Sequence, residues 1–204
     1  MVMRIRRAGD TALLVEVESP HRLHAAVRAA GVPGVVEVVP GERTVLIVTD
    51  PERCDLERLA SRLPTLDLPE TAESARPPVE IPVVYDGADV GEVAELTGLP
   101  PQEVVRRHAA GSYVVAYLGF SPGFGYLTGL DPALHVPRRA TPRTSVPAGS
   151  VAIAGPYAAV YPSASPGGWR LLGRTEAVLW DVDRDPPALL EPGTRVRFVP
   201  VEGR

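Results

Sequence analysis

The residues of this chain best suited to chemistry are five arginines set among four aromatic rings. Arg138, Arg139, Arg143, Arg170 and Arg174 share one stretch, Gly119 to Thr175, with Phe124, Tyr126, Tyr161 and Trp169. Its only acidic residue is Asp131, so the stretch carries a formal +4 on a chain whose net charge is −4. A guanidinium fork matches carboxylate or phosphate oxygens bidentately. Pro137-Arg138-Arg139 and Pro142-Arg143 set such forks beside residues of fixed φ, which partly pre-positions the donors. The four rings can wall an apolar pocket around a small amide-bearing ring. From Gly119 to Gly173 there are nine Gly and eight Pro, a density that makes rigid loops rather than a core. Rigid, basic, aromatic-dotted loops on an acidic protein read as a site for an anionic group.

Several chemistries are excluded. All 21 basic residues are arginine, so a P-loop lysine and Schiff-base or lysine-base catalysis are absent from this chain. Gly123-Phe124-Gly125 suggests a dinucleotide fingerprint, but Thr128 stands where the third Gly belongs, and Asp131-Pro132 and Pro137 follow instead of a helix. No G-x-S-x-G elbow surrounds Ser121, Ser150, Ser163 or Ser165, and the Ser-Pro pairs read as turn starters. Cys54 is the one cysteine, which rules out an internal disulfide and a cysteine metal cluster and reads as a structural thiol. His21 and His24 share a helix face without acidic partners at ligand spacing, and His135 is isolated, so no metal site is expected. His108 ends a helix just before a strand, where it serves either as an acid or base or as a helix cap. The charge balance argues against nucleic acid. The apolar run Thr44 to Thr49 is too short to span a bilayer, and Gly9-Asp10 follows Arg4, Arg6 and Arg7 without an apolar signal core, so a cytoplasmic location is expected.

The elements that must position these residues divide in two. Up to about Leu68 the order is β-α-β-β-α: a strand at 12–17, a helix opened by Ser19-Pro20 and ended by Gly31, strands at 35–39 and 44–48 around the turn Pro40-Gly41-Glu42-Arg43, and a helix capped by Asp50-Pro51. That order predicts a small ferredoxin-like α+β domain over residues 1–75. Leu68 to Pro78 reads as the connector. Residues 79–204 then read as a second domain of many short strands, a barrel or sandwich, with strands at 79–85, 112–118, 150–154, 158–161, 170–172, 177–180 and 195–199 and two short helices at 89–98 and 101–109.

Longer blocks carry a family resemblance. GFSPGFGYLTGLDP at 119–132, PRRATPRTSVPAGSVAIAG at 137–155 and YPSASPGGWRLLGRT at 161–175 resemble the family of the 5-oxoprolinase B subunits, also described as Kip inhibitor and allophanate hydrolase subunit 1. Gly9-Asp10-Thr11-Ala12-Leu13, VEIPVVYDG and the segment 103–108 extend the likeness over nearly the whole chain. The resemblance implies an α+β fold in which the second domain is a cyclophilin-like β-barrel. It implies a part in ATP-dependent opening of 5-oxo-L-proline to L-glutamate, with subunits A and C as partners and ATP required at the level of the complex. The alternatives it carries are inhibition of a sensor histidine kinase and service as a carboxyltransferase subunit of a urea- or allophanate-type enzyme. On this reading the catalytic candidates are His108 and Arg143. The substrate-binding candidates are Phe120, Pro122, Gly123, Phe124, Tyr126, Arg138, Tyr161, Gly167, Gly168, Trp169 and Arg174. Ala109, Tyr157-Ala158 and Thr194 depart from the family pattern, and the Tyr157-Ala158 change bears on readout of an amide.

Overall fold

The computed structural model describes residues 3–69 and 77–203, and the chain divides into two compact units near residue 73. Most of the sequence-read connector, residues 70–76, lies outside the described residues.

In the first unit β1 (Arg4–Arg7), β2 (Ala12–Glu16), β3 (Val35–Pro40) and β4 (Thr44–Thr49) form an antiparallel sheet in the order β1-β2-β4-β3. Alternation puts Leu13, Val15, Val45 and Ile47 on one face. The helices α1 (Pro20–Ala30) and α2 (Leu56–Arg62) cover that face with Leu23, Val27, Leu56 and Leu59. A ferredoxin-like βαββαβ unit would set a last strand beside its first. Here β1, which the sequence reading did not include, occupies that place. Pro20 opens α1 and left-handed Gly31 closes it, but Asp55 rather than Asp50 caps α2, accepting from the Arg58 N–H at 3.0 Å. Asp50 caps a turn one step earlier, accepting from Glu52 N–H.

The second unit is a nearly closed barrel. Its strands are β5 (Val79–Val83), β6 (Tyr113–Leu118), β7 (Gly125–Thr128), β9 (Ser150–Ala154), β10 (Tyr157–Val160), β12 (Arg170–Arg174) and β13 (Arg195–Pro200), in the order β12-β9-β10-β7-β6-β13-β5. β8 (Arg143–Val146) and β11 (Ser165–Gly167) pair apart as a two-stranded ribbon. The helices α3 (Val90–Thr97) and α4 (Pro101–Ala110) add Val93 and Val104 to the barrel core. The expected strand at 177–180 is only a bridge, Trp180 to Ala188, because the chain there turns back within ten residues. The first and last strands of the order meet at a seam. Val84 and Arg174 exchange two backbone hydrogen bonds of 2.9 Å, and the N–H groups of Gly87 and Asp89 donate to the carbonyls of Leu172 and Leu171.

Both faces of the wall are buried, which positions the site. Val151, Ile153, Ala158, Val160 and Leu172 point inward to the main core. The alternate residues Ala152, Ala154, Ala159 and Leu171 point outward to a second cluster with Phe124, Tyr161 and Trp169. Small outward side chains leave room for that aromatic layer.

At the seam Gly173 has no space for a side chain, since a Cβ there would overlap the Val84 carbonyl oxygen. Gly173→Ala should lower barrel stability by about 2–3 kcal/mol. Both tryptophans, Trp169 and Trp180, lie in this unit, so their fluorescence in a urea titration reads the loss directly; an unchanged midpoint would remove the seam constraint.

Candidate functional site

Two tight turns deliver the first wall of the site. The Ser121 N–H donates to the Gly119 carbonyl at 2.8 Å around Phe120, whose φ is 68°. That is a positive-φ γ-turn at a bulky residue, a strained backbone. The Phe124 N–H then donates to the Ser121 carbonyl at 3.0 Å, with Pro122 second and Gly123 third at φ 79°, the requirement of a type II turn. Gly123 packs against the Leu179–Trp180 backbone, where a Cβ would press on that of Trp180 at 2.8 Å. Pro122 and Gly123, expected to touch substrate, therefore shape the loop and do not line the pocket.

The pocket, of ≈ 230 Å³, opens between the outer face of the barrel wall and the β8–β11 ribbon. Its walls are Phe120, Phe124, Tyr126, Tyr161 and Trp169, closed by Gly167, Gly168, Pro142 and Pro166. The rings meet edge to face, Phe124 against Trp169 at 5.6 Å and against Tyr161 at 5.3 Å. Arg138 completes the lining, its guanidinium carbon 5.9 Å from the centre of the Trp169 ring. The Tyr161 hydroxyl is pushed up in pKa by burial, against the Trp169 N–H that it accepts and the nearby Arg138 charge. It stays a neutral phenol at physiological pH. A Cβ on Gly167 would overlap that hydroxyl, which accounts for the glycine.

The arginines divide by what they face. Asp89 opens α3 with its side chain 2% exposed, accepting from Leu171 N–H at 2.7 Å, Arg143 Nη2 at 2.7 Å and Arg139 Nη1 at 2.9 Å. Burial alone would raise its pKa. The hydrogen bonds from Arg143 and Leu171, with the charges of Arg143 and Arg139, hold it below the ordinary carboxylate value. Glu92, one turn on, takes Arg139 and Arg170, while Arg174 pairs with Asp86 at 2.8 Å. Among the described residues Arg138 is the one arginine of the five without a carboxylate partner. The catalytic assignment of Arg143 thus meets a different placement: it is tied to Asp89 and absent from the pocket lining. Arg174 lines a separate groove with Pro82, Val84 and Glu176.

His108 also lies elsewhere. It is fully buried, stacked on Phe198 at 4.7 Å and joined through Nδ1 to the Tyr85 hydroxyl at 2.8 Å. Burial lowers its pKa to about 3, so it is a neutral core residue at physiological pH, and it does not line the pocket. The sequence-read cationic cap required water that the core excludes. Asp89, Glu92, Pro142 and Pro166 were missed. The signal for the acids was the +4 stretch itself, since a packed arginine cluster needs counter-charge from another segment.

The second unit's site and most of both units fall under one family model. Residues 3–190 match the carboxyltransferase domain, subdomain C and D. A protein of Escherichia coli O157:H7 named as the B subunit of 5-oxoprolinase is 45% identical over 203 residues, covering 94% of this chain and 93% of that protein. The crystal structure of TTHA0988 is 38% identical with a TM-score of 0.80, covering 98% of this chain but only 41% of the longer one. The urea carboxylase of Kluyveromyces lactis, 24% identical with a TM-score of 0.74 over 98% of this chain and 22% of its own, shares the fold.

Two outcomes follow from the buried groups. The unfolded chain protonates His108 near its ordinary value of about 6.5, the folded chain only near 3, so folded stability is lost as pH falls through that window. His108→Gln should flatten the slope between about pH 6.5 and 4.5, by up to about 1.4 kcal/mol per pH unit, in urea melts followed by tryptophan fluorescence; an unaltered slope would place the imidazole in water. Arg143→Ala should cost about 3 kcal/mol at neutral pH by leaving a buried carboxylate under-paired. With the arginine gone the Asp89 pKa rises, so the loss should shrink on acidification; a loss independent of pH would dissociate the two groups.

Proposed function

Given that the chain belongs to the family of the carboxyltransferase domain, subdomain C and D, we propose that it is the substrate-holding subunit of an ATP-dependent 5-oxoprolinase. In this reading subunits A and C are its partners, and the complex opens 5-oxo-L-proline to L-glutamate. The observation that carries it is the unpaired Arg138 at an aromatic pocket of ≈ 230 Å³. A five-membered lactam bearing one carboxylate suits that pocket. The ring packs on Phe124, Tyr126 and Trp169, and its carboxylate takes Arg138, which among the described residues is the one arginine of the five without a carboxylate partner.

The lactam carbon is a poor electrophile, and phosphorylation of its oxygen makes it a better target for water. The lining offers Arg138 and tyrosine hydroxyls but no carboxylate, histidine, lysine or cysteine, hence no base to activate that water. A nucleoside triphosphate, with several charges and a purine, does not fit a pocket of this size with one free guanidinium. ATP is assigned to the companion subunits, and this chain binds, orients and shields the substrate.

Glutamate formation from 5-oxoproline and ATP should require this chain together with subunits A and C, and equal rates with and without it would end the proposal. Arg138→Ala, whose guanidinium makes no structural ion pair, should cut kcat/KM about 10²-fold while leaving the barrel melt unchanged. Unchanged kinetics would return Arg138 to surface decoration.

A further inference from the structure

Beside the pocket runs an exposed apolar ridge that the barrel core does not use. Val178 is 59% exposed, Trp180 37% and Val182 75%, while Leu179 between the first two is buried. Phe120, 61% exposed, stands at its end, since the Ser121–Gly123 turn packs directly on Trp180. Single exposed apolar side chains are ordinary, but a row of them with an adjoining aromatic marks a contact surface. The ridge is held firm from below. Leu179 and Leu190 sit in the core, Leu189 N–H donates to the Leu179 carbonyl at 2.9 Å, and Asp181 N–H to the Pro187 carbonyl at 3.0 Å.

Charge says what the ridge fits. Between residues 176 and 191 stand Glu176, Asp181, Asp183, Asp185 and Glu191 against a single base, Arg184. Arg184 is spent on its own loop, donating to the carbonyls of Val178, Leu179, Pro186 and Pro187. The result is an apolar strip with an acidic rim. A second copy of the chain would bring two acidic rims together across a two-fold, and an anionic membrane or nucleic acid would be repelled outright.

We propose that this ridge docks a companion protein subunit, through an apolar patch on that subunit ringed by arginine or lysine. The proposal rests on the subunit reading above and adds where the partner sits. In TTHA0988 the counterpart of this chain is 41% of one longer polypeptide, so that fold carries further protein with it there. Because Phe120 belongs both to the ridge end and to the pocket lining, a subunit seated here stands at the pocket mouth.

The test uses the full chain and purified subunits A and C of the 5-oxoprolinase of the same source, with binding measured by calorimetry. Wild type should bind at least one of them, more weakly as salt is raised. Val182→Asp, at a site too exposed to affect folding, and Trp180→Ser should each weaken binding about tenfold or more, while Arg138→Ala binds like wild type. Ridge variants within about twofold of wild type would overturn the docking site while leaving the complex intact. Failure of wild type to bind either subunit would overturn both. Self-association of the isolated chain that Val182→Asp abolishes would assign the face to a second copy and overturn the proposal as well.

Discussion

A single buried carboxylate, Asp89, ties together the parts on which this site depends. Its Oδ2 accepts from the Leu171 N–H on β12, and its Oδ1 accepts from Arg139 and Arg143. One charge therefore joins the start of α3, the strand at the barrel seam, the loop that follows Pro137 and the ribbon strand β8. A carboxylate so enclosed is costly unless its hydrogen bonds are complete. The three donors supply that completion, and each donor belongs to an element that must not move if the pocket is to keep its shape. The Arg139 N–H also donates to the Gly168 carbonyl at 2.7 Å, so backbone and side chain of one residue fix the loop from both ends. Arg138, the next residue back, owes its position over Trp169 to that clamp.

The location of the pocket follows from side-chain size. A barrel of seven short strands fills its interior chiefly with Val, Ile, Leu, Tyr and Phe side chains. Ala152, Ala154 and Ala159 are small outward residues of β9 and β10, so large rings from neighbouring segments can pack on the wall and still leave space beneath the ribbon. Seven aromatic residues, from Phe120 and Phe124 through Tyr126, Tyr117 and Tyr157 to Tyr161 and Trp169, join in one network, edge to face except for the stacked pair Tyr117 and Tyr126. The remaining rings near His108 serve the core. The rings that line the pocket and those around His108 thus belong to separate clusters.

Local signals made much of this legible. Gly and Pro density marked the loops, short apolar runs between turn residues marked β9, β10 and β13, and Ser19-Pro20 with Gly31 marked α1. The aromatic walls were readable because Phe124, Tyr126, Tyr161 and Trp169 are short-range neighbours of punctuating glycines. What could not be read was pairing across the chain. Asp89 lies 54 residues from Arg143 and 82 from Leu171, and nothing at Asp89 itself distinguishes a helix-opening aspartate from a buried hub. The same limit misplaced Arg143 and His108. A proline beside an arginine fixes a backbone angle without saying which carboxylate the side chain meets, and a histidine at a helix end has the same sequence neighbours in water as in a core.

Neutralisation sorts the arginines by task more firmly than position does. Arg139, Arg143 and Arg170 flank the residues that line the pocket, yet each is already paired with Asp89 or Glu92. An incoming anion gains little from a guanidinium that would have to abandon a buried partner, because the loss of that pair offsets the new contact. Arg138 loses only a cation–π contact, worth about 0.5–1 kcal/mol at an exposed site, when it turns to a carboxylate. The pocket lining thus holds one charged side chain, Arg138, and on the proposed reading that guanidinium meets a single carboxylate. A reaction that needs a triphosphate must therefore bring its remaining cationic groups from outside this lining, and the open side of the pocket, at strained Phe120, is where they would have to enter.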